Sequence, residues 1–256
     1  MYLFVSVLDR KVYYQDGPVA HSRIKARLEA ASGERCLIVP FQEFGLETVE
    51  AFRPTAVVMS GFGGRWEDYA ASDFRGMADV ITQGGQLPIL CICGSHQLLG
   101  FVMNGEWKGK RRLFDQPMRV MRPGDPMPRQ PGGNDPAGRR RSRCFVATGF
   151  FEIEQVRSDP LFRGLPPRMI MRCSHYCEVK RLPPNFIRLA RSAHCAIEAM
   201  RHRTRPLYGV QFHPEAFEAP FMHGRTLLKN FAALARRCSG GNIRAAPGIK
   251  GGRSSV

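Results

Sequence analysis

Four short apolar runs, MYLFVSVL (1–8), RCLIVPF (35–41), AVVMS (56–60) and PILCI (88–92), stand in the first hundred residues with more polar stretches between them. Each is too short for a buried helix and nearly continuous in its apolar character, as a strand is when both faces of its sheet are covered. The intervening HSRIKARLEAAS (21–32), closed by Gly33, and FRGMADVITQG (74–84) carry apolar residues at helical spacing. Strand and helix alternating at such intervals predict an open, mostly parallel, flavodoxin-like α/β sheet with helices on both faces.

Beyond residue 118 the pattern changes. PGDPMPRQPGGNDPAGRRR (123–141) is dominated by Pro, Gly and Arg and predicts an irregular insert over about 118–143. Strand-like segments resume at CFVATGFFEIEQV, RMIMRCSHY, NFIRLARS, CAIEAMRH and LYGVQF, so closely spaced that a short antiparallel extension of the sheet is expected. TLLKNFAALARRC reads as a last helix. One domain over 1–237 and a disordered basic tail over 238–256 are therefore expected, with no internal repeat.

The formal charge of +16 suits an anionic partner, but half of the excess lies in the insert and in the tail after Cys238. No aromatic residue interleaves with the arginines there, so a solvated loop is expected and nucleic acid, though compatible with the charge, is unsupported. Eight scattered cysteines (36, 91, 93, 144, 173, 177, 195, 238) fit reduced thiols rather than a disulfide framework. The start lacks a basic leader and no run is long and uncharged enough to span a bilayer, so a cytoplasmic protein with no membrane partner is expected.

Three strand ends carry chemistry. Cys93 follows PILCI and precedes a helical stretch, the strand–turn–helix setting in which a nucleophile is thrust from the sheet edge. Gly94 then supplies an unobstructed amide, and the positive end of the following helix favours negative charge beside it. Ser60-Gly61-Phe62-Gly63-Gly64 offers further backbone N–H groups for a developing oxyanion. YGVQFHPEAF delivers His213 at a strand end, with Glu215 two residues on to orient the imidazole as a base. A lone buried Cys is usually inert and a lone His before Pro usually a packed turn residue; three such loops, each after a strand, change the balance. Cys173-Ser-His175-Tyr-Cys177 offers metal donors without an evident fourth ligand, so no metal is expected.

PILCICGSHQLLG resembles the nucleophile segment of class I glutamine amidotransferases, VVMSGFGG their oxyanion strand, and YGVQFHPE their His-Pro-Glu signature. RCSHYCEV and the residues after it resemble the segment preceding that signature in the GMP-synthetase-like branch, so that the likeness covers roughly 40–235 with the insert unmatched. The resemblance implies a Cys93–His213–Glu215 triad that forms a γ-glutamyl thioester and releases ammonia, with oxyanion amides from Gly61 or Phe62 and Gly94. It implies that Gln97 and the backbone around Ser174, His175 and Tyr176 hold the amino-acid end of glutamine, that no cofactor is needed, and that a separate synthetase subunit takes the ammonia. A stand-alone γ-glutamyl hydrolase and a non-catalytic regulatory homologue stay open as alternatives. Cys91 and Ser95 depart from the family's glycines in the elbow, and Cys177 stands where the branch often has an acid. Cys91 is expected on the same strand face as Cys93.

Overall fold

The strand β1 (Tyr2–Ser6) is buried at every position, as its continuous apolar run requires, and it sits inside the parallel half of the sheet. A computed structural model describes residues 1–125 and 143–242. β1 is flanked by β2 (Cys36–Pro40) and β3 (Ala56–Met59), followed by β4 (Ile89–Ile92) and β9 (Leu207–Val210), all parallel. On the far side of β9 come β8 (Ala199–His202), β7 (Phe186–Arg191), β5 (Ala147–Gln155) and β6 (Arg168–His175), each antiparallel to its neighbour. The full order is β2-β1-β3-β4-β9-β8-β7-β5-β6. The expected antiparallel extension thus supplies four of the nine strands.

Strand alternation sorts the apolar residues into two cores. Tyr2, Phe4, Val58, Leu90, Ile92, Tyr208 and Val210 face α1 (Arg10–Ser32) and α5 (His223–Asn242) through Leu28, Leu227, Phe231 and Ala235. Leu3, Val5, Val57, Met59, Ile89, Cys91 and Leu207 face α3 (Arg75–Gln83) and α4 (Gly94–Met103) through Met77, Val80, Ile81, Leu98 and Leu99. A seven-residue helix, α2 (Leu46–Phe52), completes that layer and had no counterpart among the sequence expectations.

Two boundaries differ from those read in the sequence. α1 begins at Arg10 rather than near His21, because Asp9 caps it by accepting from Lys11 N at 3.0 Å. α5 continues to Asn242, past the residue where the tail was expected to begin; residues 243–256 lie outside the described residues. Of the insert, 126–142 lie outside the described residues, but its entry is ordered against the fold. Arg119 pairs with both carboxylate oxygens of Asp125 (2.6 and 2.8 Å) and lies 4.1 Å over the Phe145 ring, within a stretch that carries no helix or strand among the described residues.

α5 docks on the sheet largely through Phe231, which is 1% exposed and meets Tyr208 edge-on. Phe231→Ala is expected to destabilise the protein by about 3–5 kcal/mol, the usual toll of emptying a large aromatic site, read as a lower denaturation midpoint at unchanged m-value.

Candidate active site

Cys93 is the junction between β4 and α4. Its amide donates to Val210 O at 2.7 Å, continuing the ladder with β9, while its carbonyl accepts from Gln97 N at 3.1 Å and opens the helix. Serving both elements forces φ to +50° with ψ at −105°, a conformation that a non-glycine residue holds at a cost of about 1–3 kcal/mol and that collects at functional sites. The turn also breaks strand alternation. Cys91, expected on the same face as Cys93, instead lies in the opposite core with its sulfur 3.9 Å from Met59 Sδ, where burial pushes its thiol far up.

The loop after β3 closes on this elbow without an intervening side chain. A Cβ at Gly94 would stand 2.2 Å from Phe62 Cβ and 2.6 Å from Phe62 N, and one at Gly61 would stand 2.9 Å from His213 Cε1 and 3.5 Å from Cys93 Cβ. Among the described residues the amides of Gly61, Phe62 and Gly94 have no hydrogen-bond acceptor, which leaves them as donors beside the thiol. Ser95, where a glycine was expected, does not obstruct the turn. Its hydroxyl is buried and donates to Ser60 O at 2.5 Å, tying the helix start to the loop. Ser60 in turn accepts from Val7 N at 2.8 Å through its own hydroxyl.

His213 arrives just beyond β9, its amide held by Arg172 O at 2.7 Å, and its Nδ1 lies 2.7 Å from Glu215 Oε1. Nε2 is buried without a hydrogen-bond partner and faces the Gly61–Cys93 side. Burial disfavours a charged imidazole, yet the Glu215 carboxylate and the neighbouring Cys93 outweigh it and hold the pKa well above the ordinary histidine value. Glu215 is itself buried.

The remaining expected residues divide into those that face the thiol and those that support it. Ser174 O accepts from Cys93 Sγ at 3.9 Å. His175 turns inward, with Nδ1 3.0 Å from Cys177 O, and burial lowers its pKa to about 4. The Tyr176 hydroxyl donates to Asp115. Gln97 directs its amide into the protein: its oxygen accepts from Trp66 Nε1 at 3.0 Å, and its nitrogen donates to Cys177 O at 3.1 Å and to Gln211 Oε1 at 3.3 Å. Gln211, missed in the sequence, then donates to Cys93 Sγ at 3.6 Å. A glutamine inside the buried LYGVQF strand was the available signal, because a buried amide must be paired. Asp115, also missed, accepts from Trp66 N at 3.0 Å as well as from Tyr176.

The metal-type donors that converge are not the Cys173, His175 and Cys177 of the sequence spacing. Cys173, His175 and Glu198 bring their ligand atoms within 4.8 Å of one another, all three buried. No fourth donor joins them among the described residues, whereas structural zinc takes four.

The family model of class-I glutamine amidotransferases matches residues 21–234. One subunit of the glutamine-hydrolyzing GMP synthase of Pyrococcus abyssi is 35% identical over 192 residues, covering 74% of this chain and 80% of that protein. The protein of the same name from Methanosarcina acetivorans is 49% identical over 192 residues, covering 75% and 79%. Among solved structures, a Thermoplasma acidophilum protein assigned as a subunit of GMP synthase shares the fold with a TM-score of 0.65 at 20% identity, over 95% of this chain and 98% of that one.

Because His213 titrates high in the folded state, its charge stabilises the fold fully below about pH 6.5, the unfolded histidine value, and that contribution is lost as pH rises through the folded one. Glu215→Gln is expected to move the His213 titration to lower pH, followed through the imidazole Cε1–H proton resonance, and to shrink this low-pH stabilisation. A titration indifferent to the substitution would show that Glu215 does not set it.

Proposed function

Because the chain belongs to the class I glutamine amidotransferase family, we propose that it hydrolyses the side-chain amide of glutamine at Cys93 and passes the ammonia to a separate synthetase subunit. The observation that carries this reading is the meeting, at one sheet edge, of the strained Cys93 turn, the unpaired amides of Gly61, Phe62 and Gly94, and a His213 hydrogen-bonded to Glu215.

In this reaction His213 takes the thiol proton and Cys93 Sγ attacks the amide carbon. The carbonyl oxygen becomes an oxyanion that accepts hydrogen bonds from Gly94 and from Gly61 or Phe62. As the tetrahedral intermediate collapses, His213 returns the proton to the leaving nitrogen; ammonia departs and a γ-glutamyl thioester stays on Cys93. Water, deprotonated by the same imidazole, then attacks the thioester carbon and displaces the thiol as glutamate forms. Glu215 fixes the imidazole with Nε2 toward the sulfur and offsets its positive charge. The backbone at Ser174, His175 and Tyr176 holds the amino-acid end of the substrate; Gln97, expected there as well, has its amide committed to Trp66, Cys177 O and Gln211. Gln97 acts as the brace of Gln211 and Trp66.

The relatives are each named as one subunit of a glutamine-hydrolyzing GMP synthase, which supports a separate partner as the user of the ammonia and GMP formation as its purpose. The stand-alone γ-glutamyl hydrolase reading uses the same residues, and substrate preference separates the two. No described helix is long and apolar enough to cross a membrane.

Two substitutions test the reading through glutamate release from glutamine. Cys93→Ala is expected to lower turnover by at least about 10³-fold, since the covalent step has no other nucleophile; retained activity would sink the assignment. Ser95→Ala removes the tie to Ser60 O and is expected to reduce kcat about tenfold with KM nearly unchanged, because the oxyanion loop loses registry with the elbow. Preference for γ-glutamyl amines over glutamine would transfer the assignment to the hydrolase.

A further inference from the structure

On the sheet face opposite α3 and α4, helices α1 and α5 leave between them a concavity of about 220 Å³. Arg23 and Arg27 reach it from α1 and Arg225 and Lys229 from α5, and no carboxylate lines it. Each helix contributes two like charges four residues apart, a spacing that disfavours the helix when the charges are not offset. Among the described residues the charged ends of Arg23, Arg225 and Lys229 have no hydrogen-bond or ion-pair partner. α1 turns alanines toward the cavity, which keeps the space between the cations open.

Arg27 differs from the other three. Its guanidinium lies 4.1 Å over the Phe217 ring and donates to Phe217 O at 2.6 Å and to Glu215 O, so it grips the backbone of the turn that carries the carboxylate of the site. Burial, together with repulsion from Arg23, lowers its pKa against the opposing pull of the nearby Glu215 and Glu218 carboxylates. The four cations therefore surround one volume that backs onto the His213–Glu215 turn.

We propose that this concavity is a binding site for the phosphate groups of a small phosphorylated molecule, and that its occupant acts on the site through Arg27 and the Glu215 turn. Arginine forks match phosphate oxygens in pairs, and cations on two facing walls enclose a compact polyanion from both sides. An acidic protein segment would be drawn by the same charge, but a concavity closed on two sides and lined by alanines between its cations favours the small ligand. The coupling to Glu215 rests on the glutaminase reading above; the binding itself does not.

The test uses the full chain and pyrophosphate, with a nucleoside triphosphate, inorganic sulfate and a poly-glutamate peptide as further arms. Calorimetry is expected to show saturable binding of one pyrophosphate, weakened at least tenfold in Arg23→Glu/Lys229→Glu. Both residues are exposed and outside the catalytic machinery, and circular dichroism checks that the variant folds; Arg225→Gln, a milder change, is expected to weaken binding less. Tighter binding of the triphosphate than of pyrophosphate would identify a nucleotide as the source of the phosphates, and the reverse a free phosphate compound. The His213 Cε1–H titration is expected to shift on saturation, a readout that needs no turnover and so separates failure of this proposal from failure of the glutaminase assignment. Binding that is unchanged in the double variant overturns the proposal, as does binding that follows ionic strength alone or is shown only by the peptide. A His213 titration that ignores bound pyrophosphate overturns the coupling.

Discussion

A single backbone residue sets the geometry on which the rest of the site depends. Cys93 must complete the β4–β9 ladder through its amide and start α4 through its carbonyl, and no ordinary φ/ψ pair satisfies both. The resulting positive φ lifts the side chain out of strand alternation and toward the loop after β3. Strain of this size persists only when the surroundings over-determine it. Here they do: the ladder bond on one side, the helix on the other, and the Ser95–Ser60 hydrogen bond across the gap close a ring of constraints around one residue.

Close approach is the second requirement, and it follows from the first. With Cys93 turned outward, Gly94 is pressed against the backbone of Phe62 and Gly61 against the imidazole of His213. A side chain at either position would separate parts that have to lie together, which is why the small residues sit there and not one place later. At position 95 a hydroxyl is tolerated because it points away from the contact and into the Ser60 carbonyl. The departure from the family's glycine is thus an additional bond rather than an obstruction. Cys91 is accommodated for a different reason: it lies in the opposite core against Met59 and never meets the elbow.

The parts of the fold legible in the sequence were those whose burial leaves a continuous apolar run. β1 to β4 were readable because a parallel sheet covered on both faces tolerates no polar interruption; Cys93 and His213 stood out as candidates because each comes just after such a run, and Glu215 because it follows His213 by two residues. α1 was only half legible, since the helical spacing was read from His21 onward while the start of the helix is fixed by one carboxylate at Asp9. The supports of the site were not legible for a common reason. Trp66 meets Gln97, Gln97 meets Gln211, and Ser95 meets Ser60 through hydrogen bonds spanning 31, 114 and 35 residues of sequence, and no local pattern encodes which distant partner a buried amide or hydroxyl will find.

The same distinction governs the charge. Its total is visible in composition, and half of it falls in segments that suggested only solvated loops. The arrangement with a specific consequence lies elsewhere, on two regular helices at opposite ends of the chain that the sheet brings face to face. Each helix alone presents an ordinary basic stripe. Only their packing converts two stripes into a walled concavity, and Arg27, bonded to the carbonyls of Glu215 and Phe217, connects that concavity to the turn that carries the carboxylate paired with His213. Charge read along the chain therefore measures attraction to anions in general, while charge read across the fold locates where one anion would be held and which backbone it would pull.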